Sequence, residues 1–184
     1  MTAHFLRVPE DEFGYETSEV DSVIDLARSQ FANPGSHVLD ASSLRTRQFA
    51  LVKGGYRIDS VDAALDRLDD AFAEQEAKRL LVRQGHQGAT EHLAEFRSTL
   101  LARATRGARR AFKRQSWWQK GYSVRQVDQL LKRVAATLEG TPSVGVPQLR
   151  QVTFSPKWAG YTEAQVDAYL DRAVQYLQIS KHLG

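Results

Sequence analysis

Apolar residues recur at three- and four-residue steps in four stretches of the chain, with polar residues between them. The stripes are Val20, Ile24, Ala27, Phe31; Val61, Leu65, Leu68, Phe72; Val127, Leu131, Val134, Leu138; and Val166, Leu170, Ala173, Leu177. That period keeps one face of a helix apolar, so each stripe predicts an amphipathic helix. Each also begins in the same way, with Gly-Tyr followed after four residues by Val-Asp. The instances are Gly14-Tyr15 with Val20-Asp21, Gly55-Tyr56 with Val61-Asp62, Gly121-Tyr122 with Val127-Asp128, and Gly160-Tyr161 with Val166-Asp167. Chance does not align four such copies. The chain reads as a repeated unit: a loop that turns at glycine, anchors a tyrosine and starts a helix.

Local start signals agree with this. Ser123 with Gln126, and Thr162 with Gln165, have capping-box spacing. Glu16 and Arg57 stand there in the first two copies, which leaves Ser18 or Asp59 as caps. The four motif aspartates fall in the first turns, where the helix dipole favours a carboxylate. Each tyrosine is expected to pack on its own helix and give its hydroxyl to a backbone partner.

A second level of repetition lies above the first. Phe5 and Phe112 precede their glycines by nine residues, Phe49 and Phe154 by six, and the Gly-to-Gly intervals are 41 and 39. Asn33-Pro34-Gly35 leading to Leu44-Arg45 matches Gly140-Thr141-Pro142 leading to Leu149-Arg150. The reading is a duplicated pair: 1–73, a central connector 74–106, and 107–184. In the connector the second-copy helix runs on to Gly85, and another runs from near Thr90 to about Arg114. Ser36 to Asp40 and Val152 to Phe154 are the only strand candidates. The fold class expected is all-α, a compact bundle of short helices arranged as two tandem pairs with a central helical hairpin.

Composition narrows the class. Among 184 residues, 42% are apolar and 26% charged, which suits a globular protein. With no cysteine, disulfides and thiolate chemistry are excluded. No apolar run approaches the roughly 18 residues that span a bilayer. Glu10, Asp11 and Glu12 stand where a signal peptide needs apolar residues, so a cytoplasmic protein is expected.

Charge is unevenly placed. The net charge of +3 conceals a stretch from Phe96 to Val127 with no Asp or Glu and nine Lys or Arg residues. Asp59, Asp62, Asp66, Asp69, Asp70, Glu74 and Glu76 form an acidic block. Either the blocks face each other, or the basic one is reserved for an anionic partner. On a helix Arg103, Arg106, Arg110 and Lys113 share one face, and Arg114, Trp117, Trp118 and Lys120 follow. Basic groups beside indoles suit an anionic membrane surface. Arginines at this spacing also suit a phosphate backbone, which makes nucleic acid bound by a basic helix 97–120 the alternative. Trp117 has a further reading, as a core residue.

The unit of Phe, five residues, Gly-Tyr, a polar stretch, Val-Asp and a Leu-rich helix resembles the N-terminal domain of the DivIVA family. Phe154 to Leu177 is the closest match, and the likeness spans roughly half the chain. It looks most like the actinobacterial group that carries the motif as repeats. The resemblance implies a non-enzymatic adaptor or scaffold in bacterial cell division or polar envelope growth. It implies self-association, partners among cell-division or envelope-growth proteins, and a place on the inner membrane face. In the family an aromatic two residues before Gly-Tyr enters lipid, with a basic residue beside it. Trp158 holds the aromatic place in the fourth copy, with Lys157 on one side and Ala159 in the basic place. The second copy has Lys53-Gly54 there, the first Glu12-Phe13, and the third Gln119-Lys120. Only the second half keeps membrane chemistry. The family's long heptad coiled coil is missing, which suggests that tandem copies pair within the chain.

Enzyme signatures are weak. His4, His37, His86, His92 and His182 have no zinc-helix spacing. Lys53-Gly54-Gly55 is too short for a phosphate loop, and the crowded aspartates read as a solvated helix face. No catalytic, metal or cofactor residue is assigned.

Overall fold

The structure is a computed structural model and describes residues 5–32 and 47–183. The strand candidate Ser36–Asp40, the connector from Asn33 to Arg45, His4 and His37 lie outside them. The chain divides into two compact units, residues 1–75 and 76–184. Residues 76–106, read as a connector, count with the second unit.

In the first unit, β1 (Phe13–Tyr15) leads to α1 (Thr17–Ala32), and β2 (Leu51–Lys53) leads to α2 (Ile58–Ala104), which continues into the second unit. The second unit adds β3 (Lys120–Tyr122), α3 (Val124–Leu138), the short α4 (Val146–Arg150), β4 (Pro156–Trp158) and α5 (Glu163–Leu183). Each long helix therefore opens two residues after a motif tyrosine. The protein is mostly helical.

It is not all-α. β1 pairs antiparallel with β2, and β3 with β4, as two small sheets. Strands of three residues are too short to show alternation, and two of the four contain a glycine read as a turn. Val152–Phe154 is not a strand; β4 begins just after it.

Two glycines set the course of the chain around the long helix. Gly85, at φ 69° and ψ 178°, interrupts α2, and helix resumes directly after it rather than near Thr90. The expected end near Arg114 is also corrected, because α2 stops at Ala104. Gly107 at φ 88° and Arg109 at φ 65° take left-handed backbone, which ends a helix within a turn. The continuous basic helix 97–120 therefore does not exist.

The valine of every motif is at most 1% exposed. In the second unit it joins one continuous core with Leu100, Phe112, Leu131, Leu149 and Tyr169. The first unit buries two smaller clusters, one around Val23 and Phe72 and one around Val20, Tyr56 and Val61.

Crossed tyrosine loops and an exposed aromatic tip

Within each unit the two Gly-Tyr segments lie against each other. The N–H of Tyr15 donates to the carbonyl of Tyr56 at 2.9 Å, and that of Tyr56 to Tyr15 at 2.8 Å. Tyr122 and Tyr161 exchange the same two bonds at 3.0 and 2.9 Å. This close approach is why the motif needs glycine. A Cβ on Gly55 would stand 2.5 Å from the Tyr15 carbonyl oxygen, and one on Gly160 2.5 Å from that of Tyr122. Gly14 and Gly121 meet the carbonyls of Tyr56 and Tyr161 still more tightly.

The crossing carries each tyrosine ring to the aspartate of the opposite copy. Tyr56 donates to Asp21 at 3.2 Å, Tyr161 to Asp128 at 2.9 Å and Tyr122 to Asp167 at 3.4 Å. Tyr15 makes the matching bond to Asp62. The hydroxyls thus donate to carboxylates across the crossing rather than to backbone groups, and the Tyr161 hydroxyl has a backbone partner as well, at Ala111. Burial, then the neighbouring carboxylate, raises all four phenols above their usual range. Tyr161 is pushed up to about 12. Loss of solvent lifts the Asp62 and Asp167 carboxyls above the ordinary value, partly offset by the phenol that donates to each.

Ring contacts follow the same rule. Phe5 meets Tyr56 and Phe49 meets Tyr15, at centroid distances of 5.4 and 5.2 Å. Phe112 meets Tyr161 and Phe154 meets Tyr122, at 5.5 and 5.0 Å. The spacing of phenylalanine to glycine is thereby explained: each ring covers the tyrosine of the other copy.

The side chains read as capping boxes do different work. Ser123 makes no side-chain cap bond. Gln126 accepts from the N–H of Ser155 at 2.8 Å, Gln165 from that of Lys113 at 2.9 Å, and Glu19 from that of Ala50 at 2.9 Å. An acceptor four residues past the tyrosine thus clamps the strand arriving from the partner copy. In the first copy Glu16 is the cap, accepting from the N–H of Glu19 at 2.8 Å.

Of the expected surface residues, the structure brings Trp117, Trp118, Lys120, Lys157 and Trp158 together at the β3–β4 tip. Lys120 and Trp158 are cross-strand partners, with the ammonium 5.1 Å from the ring centroid. Trp117 and Trp118 meet edge to face at 5.4 Å. Their turn is tied to the other strand by the Ala159 N–H, which donates to the Gln119 carbonyl at 2.9 Å. The three indoles are 78%, 59% and 62% exposed at 117, 118 and 158, so Trp117 is no core residue. Arg114 flanks the tip, its Nε donating to the Ala159 carbonyl at 2.9 Å.

Arg103, Arg106, Arg110 and Lys113 do not line one helix face. Arg103 closes the last turn of α2, bonded to the Ala111 carbonyl at 3.3 Å, with its guanidinium 5.7 Å from the Phe112 ring centroid. Arg106 and Arg110 are exposed in the irregular segment beyond it. Lys113 has its backbone fastened to Thr162 and Gln165.

The first unit has a tip of the same construction. Phe13 pairs across the strands with Lys53, whose ammonium is 6.0 Å from its ring centroid, and Leu51 is exposed beside it. The aromatic and the lysine have exchanged strands relative to Lys120 and Trp158. Reading each copy alone missed this, because the pair exists only once the strands are matched.

Among the described residues no group of His, Asp or Glu is placed to hold a metal ion. No described helix is long and apolar enough to cross a membrane. No family model matches the chain. No curated protein and no solved structure matches it either.

Proposed function

We propose that the chain is a non-enzymatic scaffold of four DivIVA-like copies set as two tandem pairs, each pair standing in for a dimer of the family. On this reading it serves bacterial cell division or polar envelope growth from the inner face of the membrane. It touches anionic lipid through the tip of the second unit and leaves its helices for protein partners. The observation that carries the reading is the exposed group Trp117, Trp118 and Trp158 beside Lys120 and Lys157. Solvent-facing indoles are costly unless a surface covers them, and they settle at the headgroup level of a bilayer. Each lysine near an anionic leaflet adds about 1 kcal/mol, an attraction that salt screens.

Co-sedimentation with vesicles tests this. Full-length protein binds vesicles of phosphatidylglycerol and phosphatidylcholine, less at high salt, and does not bind phosphatidylcholine alone. Trp118→Ala with Trp158→Ala lowers that binding at least tenfold without unfolding the protein. Binding that ignores both lipid charge and the tryptophans overturns the proposal. So does salt-steep binding to an oligonucleotide with no binding to vesicles.

A further inference from the structure

The second unit holds a cleft of about 260 Å³ where the end of α2, the Phe112 segment and α5 meet. Its wall is apolar, made by Leu100, Phe112 and Tyr169, all buried. Two arginines reach it from different elements, Arg103 from α2 and Arg172 from α5. No Asp or Glu lines it. Among the described residues neither guanidinium has a carboxylate within 4 Å.

The two guanidiniums and the Gln165 amide are arranged as donors, and the Thr99 hydroxyl has given its proton to the Glu95 carbonyl at 3.1 Å. The Arg103 guanidinium spends one N–H on the Ala111 carbonyl and keeps the others. Arg172 lies 5.1 Å over the Phe96 ring centroid, a contact that places the guanidinium without using its N–H groups. Gln165 has its oxygen taken by the Lys113 N–H, which leaves its amide hydrogens to donate. The Tyr169 hydroxyl is already committed to the Leu100 carbonyl at 3.3 Å, and burial holds that phenol well above its usual range. The cleft thus offers several donors, two formal positive charges and no acceptor of matching charge.

From this we infer that the cleft binds a small organic anion, a carboxylate on an apolar or aromatic body. Arg103 and Arg172 take the carboxylate, and Leu100, Phe112 and Tyr169 take the body. Charge-assisted bonds from guanidinium to carboxylate are the strongest available here, and an apolar wall with a few placed polar groups is the usual make-up of a small-ligand site. The site is separate from the indole tip and does not depend on membrane binding.

Titration of the full chain with benzoate, followed by two-dimensional amide NMR, tests the inference. Benzoate gives saturable shifts in residues 99–103, 112 and 165–172, and neutral benzamide gives none there. Arg172→Gln, at an exposed position, keeps the fold and weakens benzoate at least tenfold. Arg103→Gln also weakens benzoate, and Arg103→Lys restores part of the affinity. Non-saturating shifts, an equal response to benzamide, or unchanged affinity in Arg172→Gln overturns it.

Discussion

The two units use the same crossing of Gly-Tyr segments but differ in what they place around it. At the turn before β1 the first unit has Glu10 and Asp11, with Glu12 donating its N–H to the Pro9 carbonyl at 3.0 Å. The second unit has Trp117 and Trp118 at that turn, with Gln119 donating to Ser116 at 2.9 Å. Gly54 at φ 67° and Ala159 at φ 51° make the same left-handed step opposite them. One backbone therefore presents carboxylates in one unit and indoles in the other. The crossing is a scaffold, and its tip is free to vary. The cores differ as well, with one continuous cluster in the second unit and two small ones in the first.

The largest effect should come from the feature the units share. Gly55→Ala and Gly160→Ala each force a Cβ onto a backbone carbonyl that has no room to move. Each should cost its own unit about 3 kcal/mol or more by chemical denaturation. Gly140→Ala, at φ 98° but in open space, should cost only about 1 kcal/mol. Similar losses at all three would mean that close approach is not the reason for the motif.

Core truncation should then separate the units. Leu131, 3% exposed within the continuous cluster, should lose roughly 2–5 kcal/mol on change to Ala. Leu65, half-buried at the edge of the first unit's clusters, should lose less when changed in the same way. Equal losses would contradict the difference drawn between the cores.

Much of this architecture was legible in the residues, though not the reason for it. The apolar stripes mark the helices because a helix face repeats at a fixed step, and Val20, Val61, Val127 and Val166 are buried as that step requires. The strands were hidden, since Lys120-Gly121-Tyr122 has neither the length nor the alternation of a strand. The partners of the tyrosines were hidden for a different reason. Asp128 lies six residues from Tyr122 but bonds Tyr161, and only the crossing says which copy supplies which carboxylate. Gln126 and Gln165 have capping spacing, yet clamp an incoming strand. The basic run misled because helical spacing was extended through Gly107, where the backbone turns left-handed. The exposed tryptophans were legible, but their assembly with Lys120 and Lys157 needed the register of β3 on β4.

Alkaline pH gives a smaller and graded effect. The Tyr161 phenol is raised from 10.0 to about 12 by burial and by Asp128. A group raised in the folded state holds its proton longer there than in the unfolded chain. Its contribution is therefore complete below about pH 10 and is lost as pH rises to about 12. Thermal melts from pH 9 to 12 should show that loss, and Tyr161→Phe should flatten it. A profile unchanged in Tyr161→Phe would contradict the assignment.

The smallest effect on stability should accompany the largest on the surface. Trp117→Glu with Trp118→Asp gives the second unit the acidic turn of the first. Stability should stay within about 0.5 kcal/mol, since both side chains are exposed, while binding to anionic vesicles should fall to background. A large drop in stability would mean that the indoles brace the fold.

A double-mutant cycle on the second unit measures the crossing itself. Tyr161→Phe and Asp128→Asn should couple by about 1 kcal/mol, as a buried phenol bonded to a carboxylate does. Tyr161→Phe and Asp167→Asn, which share one copy of the motif, should be additive. Coupling within the copy and additivity across it would contradict the account.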